Sequence, residues 1–230
     1  MSRGRLTAEE RKLAIVQAAL PLFARKGFAE TTTKELAKAA GVSEPLLYRH
    51  FPSKEALYLE IQNYSCRGPA DLTQKLADMP PSAATLVYLI YYLLRAVVLG
   101  LPAGAVEWDT RHRLMLKSLL EDGSFARLLY RSRFAEFCSR MEACLEAAIR
   151  AGEMVENPVH PGNRALFAYH VGAWLAVVHL PPKPAIAFKT RKQELLRQAV
   201  WFALRGMGMT DAAIAKHYDP KTLERFFGKS

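Results

Sequence analysis

Residues 31–51 read TTTKELAKAAGVSEPLLYRHF, and this stretch decides the fold. Thr32 followed three residues later by Glu35 forms a capping box. The hydroxyl accepts from a first-turn amide and the carboxylate reaches back to the capping residue's own N–H, so a helix starts there. Leu36, Ala39 and Ala40 share a face at helical spacing until Gly41, which supplies the left-handed conformation that ends the helix. Ser43 caps a second helix, and Pro45 is harmless in its first turn, where its missing N–H would have had no intrahelical partner. That helix is about two turns, roughly 12 Å at 1.5 Å per residue. Leu47 and Phe51 turn back to the core, while Glu44, Pro45, Leu46, Tyr48 and Arg49 spread over the other faces. Two short helices joined by a tight turn predict a helix-turn-helix, and the second is the size of element that the major groove admits.

From Thr32 through Glu55 the run combines the threonine-capped helix, the AAGVS turn, the LYRHF helix with its Tyr48-x-x-Phe51 pair, and PSKEAL opening a further helix with Lys54. In these motifs the chain resembles the TetR-like family of transcriptional regulators. The resemblance in motif covers about residues 7–60; beyond it only length and helical layout agree. It implies an all-α protein in two parts: an N-terminal three-helix helix-turn-helix unit, and a larger helical domain that binds a small molecule and dimerises.

Composition agrees without deciding. The 230 residues are half apolar, enough for a core without covalent staples, and the formal net charge is +10. Residues 1–55 carry ten Lys and Arg against six acids, the remainder twenty-two against sixteen. The N-terminal part is the richer per residue, which suits a phosphate-binding surface. Cys138 and Cys144 lie six residues apart on one predicted helix, about 9 Å between Cα atoms and beyond disulfide reach, while Cys66 is remote in sequence. A reducing cytoplasm follows, and the N-terminal MSRGRLTAEERK has no apolar signal core.

Outward from the central stretch, residues 1–6 read as a mobile arm in which Arg3 and Arg5 can reach a phosphate or a minor groove. Thr7 with Glu10 is a second capping box, followed by a stripe of Leu13, Val16, Leu20 and Phe23 up to Gly27. Pro21 inside it predicts a kink or a freed carbonyl. Leu57, Ile61 and Tyr64 line a fourth helix. Breaks at Cys66–Pro69 and at Met79–Ser82 place the domain boundary between residues 66 and 67. Residues 83–101 are the most apolar stretch, but Arg95 inside it and tyrosines at its middle argue for a buried helix and against a membrane span. Leu114, Leu116 and Leu120 follow on a further helix, and a long helix over 125–151 carries Phe134, Phe137, Met141, Leu145 and Ala148 on one stripe. A helix over 163–180 has a small-residue face (Ala165, Ala168, Gly172, Ala176) and a second face with Leu166, His170, Trp174 and Val177, so two packing partners are expected. A helix over 190–205 repeats the theme. Both resemble in position the pair through which TetR-like proteins form homodimers.

The family's phosphate contacts come from the start of its second helix and the end of its recognition helix, which here match Thr33, Tyr48, His50 and Lys54, all donors to phosphate oxygens. Its base readout comes from the start of the recognition helix, here Glu44, Pro45 and Leu46, with Lys34 nearby. Glu44 can accept from cytosine N4, Lys34 can donate to guanine and Leu46 can touch a thymine methyl. The family often has Lys in place of Glu44 and a small or hydroxylated residue in place of Leu46, so the operator sequence is open. For the effector, Tyr88, Tyr92, Trp108, Phe137, Met141, His170 and Trp174 suggest an apolar, aromatic pocket with a few polar handles, although each is also a plausible core residue.

Catalytic and metal chemistry find no constellation. No two histidines stand three or four residues apart, no cysteine pair has zinc spacing, and no G-x-S-x-G elbow, P-loop or G-x-G-x-x-G occurs. The expected protein is a cytoplasmic homodimeric repressor, not an enzyme, without cofactor or metal. It binds a near-palindromic double-stranded operator and is released by a small lipophilic or aromatic ligand. The alternative is a soluble helical small-molecule-binding protein or enzyme without specific DNA binding.

Overall fold

The computed structural model describes residues 6–65, 70–99, 108–131 and 135–228. Arg3, Arg5, Cys66 and Phe134 lie outside the described residues, as does the side chain of Trp108. Among the described residues the chain is helical, with one isolated antiparallel bridge between Met154 and Met209 and no strand. The all-α expectation holds. The helices divide between two compact units, residues 1–67 with 109–132, and residues 68–108 with 133–230. Residues 109–132, expected in the C-terminal domain, cluster instead with the N-terminal unit.

In the first unit, α1 (Ala8–Glu30) starts on the Thr7–Glu10 capping box and buries Ile15, Val16, Ala19, Leu20 and Phe23. Leu13, at the edge of this stripe and one turn before its first buried pair, is 41% exposed, against expectation. Pro21 breaks nothing, because it sits on the solvent side, where the Gln17 carbonyl it leaves without an amide partner can be hydrated. The break comes at Gly27, whose φ of 82° only glycine adopts without strain, and the Thr31 hydroxyl donates to its carbonyl at 2.7 Å. α2 (Thr33–Ala40), α3 (Glu44–His50) and α4 (Lys54–Ser65) follow. Leu36, Ala37, Leu47, Phe51, Leu57 and Ile61 join the α1 face in one core.

α7 (Trp108–Leu120) and α8 (Ser124–Leu129) complete this unit. Buried Ser118 Oγ accepts from the N–H groups of Phe125 at 3.0 Å and Ala126 at 3.3 Å, capping α8 from the previous helix. Phe125 reaches Tyr58 with ring centroids 6.1 Å apart, extending an aromatic chain through Phe23 and Phe28. Of the expected leucine stripe Leu114 is buried, but Leu120 on the last turn is 84% exposed.

The second unit is built on α6 (Ala83–Leu99), which buries eleven of its seventeen residues. No helix among the described residues is long and apolar enough to cross a membrane. Around α6 pack α5 (Ala70–Asp78), α9 (Ala135–Arg150), α10 (Pro161–Val178), α11 (Lys192–Gly206), α12 (Asp211–His217) and α13 (Pro220–Phe227). Of the single helix expected over 125–151, α8 and α9 are described, with a wider turn at Tyr130 and Arg131 after α8; residues 132–134 lie outside the described residues. The small face of α10 lets it approach α6 closely: a Cβ on Gly172 would stand 3.0 Å from Leu94 Cδ2. Its other face is outward, with Trp174 65% exposed. α11 buries Leu195, Leu196, Ala199, Val200 and Ala203 and leaves Phe202 62% exposed. Buried Arg164 has its guanidinium on three backbone carbonyls, Val159, Asn157 and Met207. Cys138 and Cys144 are buried and unbridged, and burial pushes the Cys138 thiol up to about 11.

Candidate nucleic-acid interface

The expected interface residues sit on three short segments whose caps fix them. Thr32 and Glu35 form the capping box at α2. Lys26 donates to the Glu35 carboxylate, and this contact, followed by the bonds from the Thr32 N–H and hydroxyl, holds Glu35 down at about 2. Gly41 takes φ 64° and ψ 33°, the left-handed turn read from the sequence. Ser43 Oγ accepts from the Leu46 N–H at 3.3 Å and so starts α3. Leu47 and Phe51 are buried beneath it, which aims the opposite face of α3 at solvent, with Tyr48 45% exposed.

Thr33, Tyr48 and Lys54 line one small depression, so three of the four residues matched to phosphate contacts converge. Their chemical situations differ. The Thr33 hydroxyl donates to Glu44 Oε2 at 3.1 Å, tying the first turn of α2 to the first turn of α3. Lys54 turns inward: its ammonium donates to the carbonyls of Phe28 at 2.9 Å and Thr31 at 3.0 Å and lies 4.3 Å from the Phe28 ring centroid. Two of its three protons therefore serve the fold. His50 Nε2 is enclosed with no hydrogen-bond partner among the described residues. Of the residues matched to base readout, Lys34 and Pro45 are exposed and Glu44 and Leu46 half-buried. Sequence reasoning missed the Thr33–Glu44 pair and the inward lysine, since each joins residues distant in the chain.

The effector candidates are not gathered into one chamber. Met141 is wholly enclosed in the core of the second unit. Tyr88 meets Phe226 edge-on at 4.9 Å and Tyr92 stacks on Phe227 at 5.9 Å, so the C-terminal helix α13 covers both. Phe137 packs at the edge of the core, and His170 and Trp174 lie on the exposed face of α10. An open groove along α10 and α11 is lined mainly by apolar side chains, among them Val171, Leu175, Phe188, Trp201 and Phe202. Among the described residues no group of three or more His, Cys, Asp or Glu is arranged to hold a metal ion.

Two capped helices around a glycine turn, with a tyrosine held outward on the second, define a helix-turn-helix protein. Residues 15–61 match the family model for bacterial regulatory proteins of the tetR family. An uncharacterized HTH-type transcriptional regulator of Bacillus subtilis strain 168, YerO, is 41% identical over 76 residues, which cover 31% of this chain and 26% of YerO. The HTH-type transcriptional regulator EthR of Mycolicibacterium smegmatis is 44% identical over 63 residues, 26% of this chain and 29% of EthR. The match thus spans under a third of the length of these relatives. Over the longer range the likeness is one of fold: the crystal structure of AibR in complex with isovaleryl coenzyme A and operator DNA superposes with a TM-score of 0.62 at 20% identity, covering 84% of this chain and 97% of AibR. Residues 15–61 thus carry a tetR-family helix-turn-helix by sequence, and over most of its length the chain shares the fold of AibR.

Proposed function

We propose that the protein is a homodimeric repressor that binds a near-palindromic operator and is released by a small lipophilic or aromatic molecule. The observation that carries this reading is the exposed face of α3, rigidly capped at Ser43 and anchored by buried Leu47 and Phe51, with Tyr48 beside Thr33 and Lys54. Tyr48, the remaining donor of Lys54 and His50 hold phosphates and set register, while Lys34, Glu44, Pro45 and Leu46 face the bases. Dimerisation uses α10 and α11, whose outward aromatic side chains Phe167, Trp174, Trp201 and Phe202 form an apolar face of the kind that marks association. A two-fold dimer presents two recognition helices one helical turn apart, about 34–36 Å, hence the near-palindrome. The effector binds in the second unit, where Tyr88, Tyr92 and Phe137 supply apolar surface; the fold neighbour AibR, in complex with isovaleryl coenzyme A and operator DNA, supports control by a bound effector, without fixing its chemistry. A ligand that prefers the dimer geometry unsuited to the operator lowers DNA affinity by its differential affinity for the two states. DNA as partner places the protein in the cytoplasm.

The test is selection of genomic fragments by the purified protein, followed by affinity for the winning site. A near-palindrome is expected, with Tyr48→Phe weakening all sequences alike at unchanged salt slope, because the lost donor is neutral. Enrichment of no fragment over random DNA at physiological salt, with and without acyl coenzyme A compounds, overturns the reading.

A further inference from the structure

The first turn of α3 holds an unusual hydrogen-bonding inventory. Pro45 has no N–H, the Leu46 N–H is taken by Ser43 Oγ, and Leu46 itself is apolar. The polar side chain left at this leading edge is Glu44, and its Oε2 accepts from Thr33 Oγ1 at 3.1 Å across eleven residues of sequence. A threonine hydroxyl has one proton and a carboxylate has none, so the direction of the bond is fixed. Two consequences follow. With its proton given to Glu44, Thr33 has none to give a phosphate oxygen, which also only accepts. And with Oε2 held from α2, the other carboxylate oxygen is oriented before DNA arrives, as an acceptor alone.

In the major groove only cytosine N4 and adenine N6 donate; guanine and thymine present acceptors, which a carboxylate repels. Adenine carries the N7 acceptor beside its donor, whereas cytosine carries a C–H there, so the carboxylate is better matched to cytosine. Resting on the operator reading above, we propose that Thr33 is a positioning residue that aims Glu44 at a cytosine, making one base in each half-site a required cytosine.

The experiment measures binding of the full-length protein to every single-base variant of its selected operator at one salt concentration. It uses the wild type, Glu44→Ala, Glu44→Gln, Thr33→Val and Thr33→Ser, with thermal melts confirming that each variant is folded. Wild type is expected to prefer cytosine at one symmetric pair of positions by about tenfold to a hundredfold over guanine or thymine. Glu44→Ala levels that position alone. Glu44→Gln shifts it towards adenine, which a carboxamide meets with a donor and an acceptor. Thr33→Val reduces the cytosine preference several-fold at the same position and Thr33→Ser restores it, a pattern that a merely structural threonine would not give. A palindromic site whose base preferences Glu44→Ala leaves unchanged overturns this assignment while the operator reading stands. Uniform weakening of all sequences by Thr33→Val likewise overturns it, making Thr33 a phosphate contact. Failure of the wild type to select any site removes the operator reading and this inference together.

Discussion

Lys54 shows how a charged residue at a proposed DNA-binding position can be claimed first by the fold. Its ammonium closes the end of α1, donating to the carbonyls of Phe28 and Thr31, and the adjacent aromatic face adds a cation–π contact. Lys54→Ala is expected to destabilise the protein by about 1.5–3 kcal/mol in urea unfolding, the range for hydrogen bonds to a charged group. Lys54→Met, which keeps the stem, should lose nearly as much. Glu35 gives a second outcome at this scale. Its folded pKa of about 2 lies below the ordinary 4.5, so its stabilising contribution is complete above 4.5 and is lost as pH falls from there through 2. The urea midpoint of Glu35→Gln should therefore depend less on pH across that window than the wild type's. The caps at Thr7, Thr32 and Ser43 were legible in the sequence because both partners of each lie within one helical turn. The inward turn of Lys54 was not, because its acceptors are backbone groups 23 and 26 residues away, which no side-chain pattern encodes.

Among the helices, α10 is the one whose two faces the sequence separated. Its alanine and glycine strip meets α6 and its aromatic side faces outward, and the first contact is tight at Gly172. Gly172→Val, with its first added carbon already 3.0 Å from Leu94 Cδ2, should cost about 1–3 kcal/mol by overpacking, seen as a lower thermal midpoint of the second unit. The sequence erred where a pattern continued past the end of an element. Apolar residues run on at helical spacing from Phe125 to Ala148, yet the α-helical backbone of α8 gives way to a wider turn at Tyr130 and Arg131. Periodicity registers which residues share a face, not whether the backbone between them stays helical. Leu120 is the same lesson in small: spacing put it with Leu114, but it falls on the final turn, beyond the surface that covers Leu114.

For the molecule as a whole, the outward aromatic residues of α10 and α11 make association the central expectation. Trp174→Glu combined with Phe202→Glu should give a monomer in sedimentation equilibrium and weaken operator binding far more than half-site binding, since each site then lacks its tethered twin. The sequence placed both helices, at 163–180 and 190–205, close to where they lie. The proposed effector surface was less legible, because aromatic residues spaced for a pocket and aromatic residues spaced for a core look alike, and Tyr88 and Tyr92 also pack on Phe226 and Phe227. The N-terminal unit is assembled from two separated pieces of chain, residues 1–67 and 109–132, which meet where Phe125, its amide held by Ser118, reaches Tyr58. Anyone transplanting this helix-turn-helix head onto another helical domain by cutting after residue 67 would leave behind the α7–α8 hairpin that roofs its aromatic chain. A working chimera has to inherit the head as two inserts, so the junctions that nature or an engineer can exchange number three instead of one.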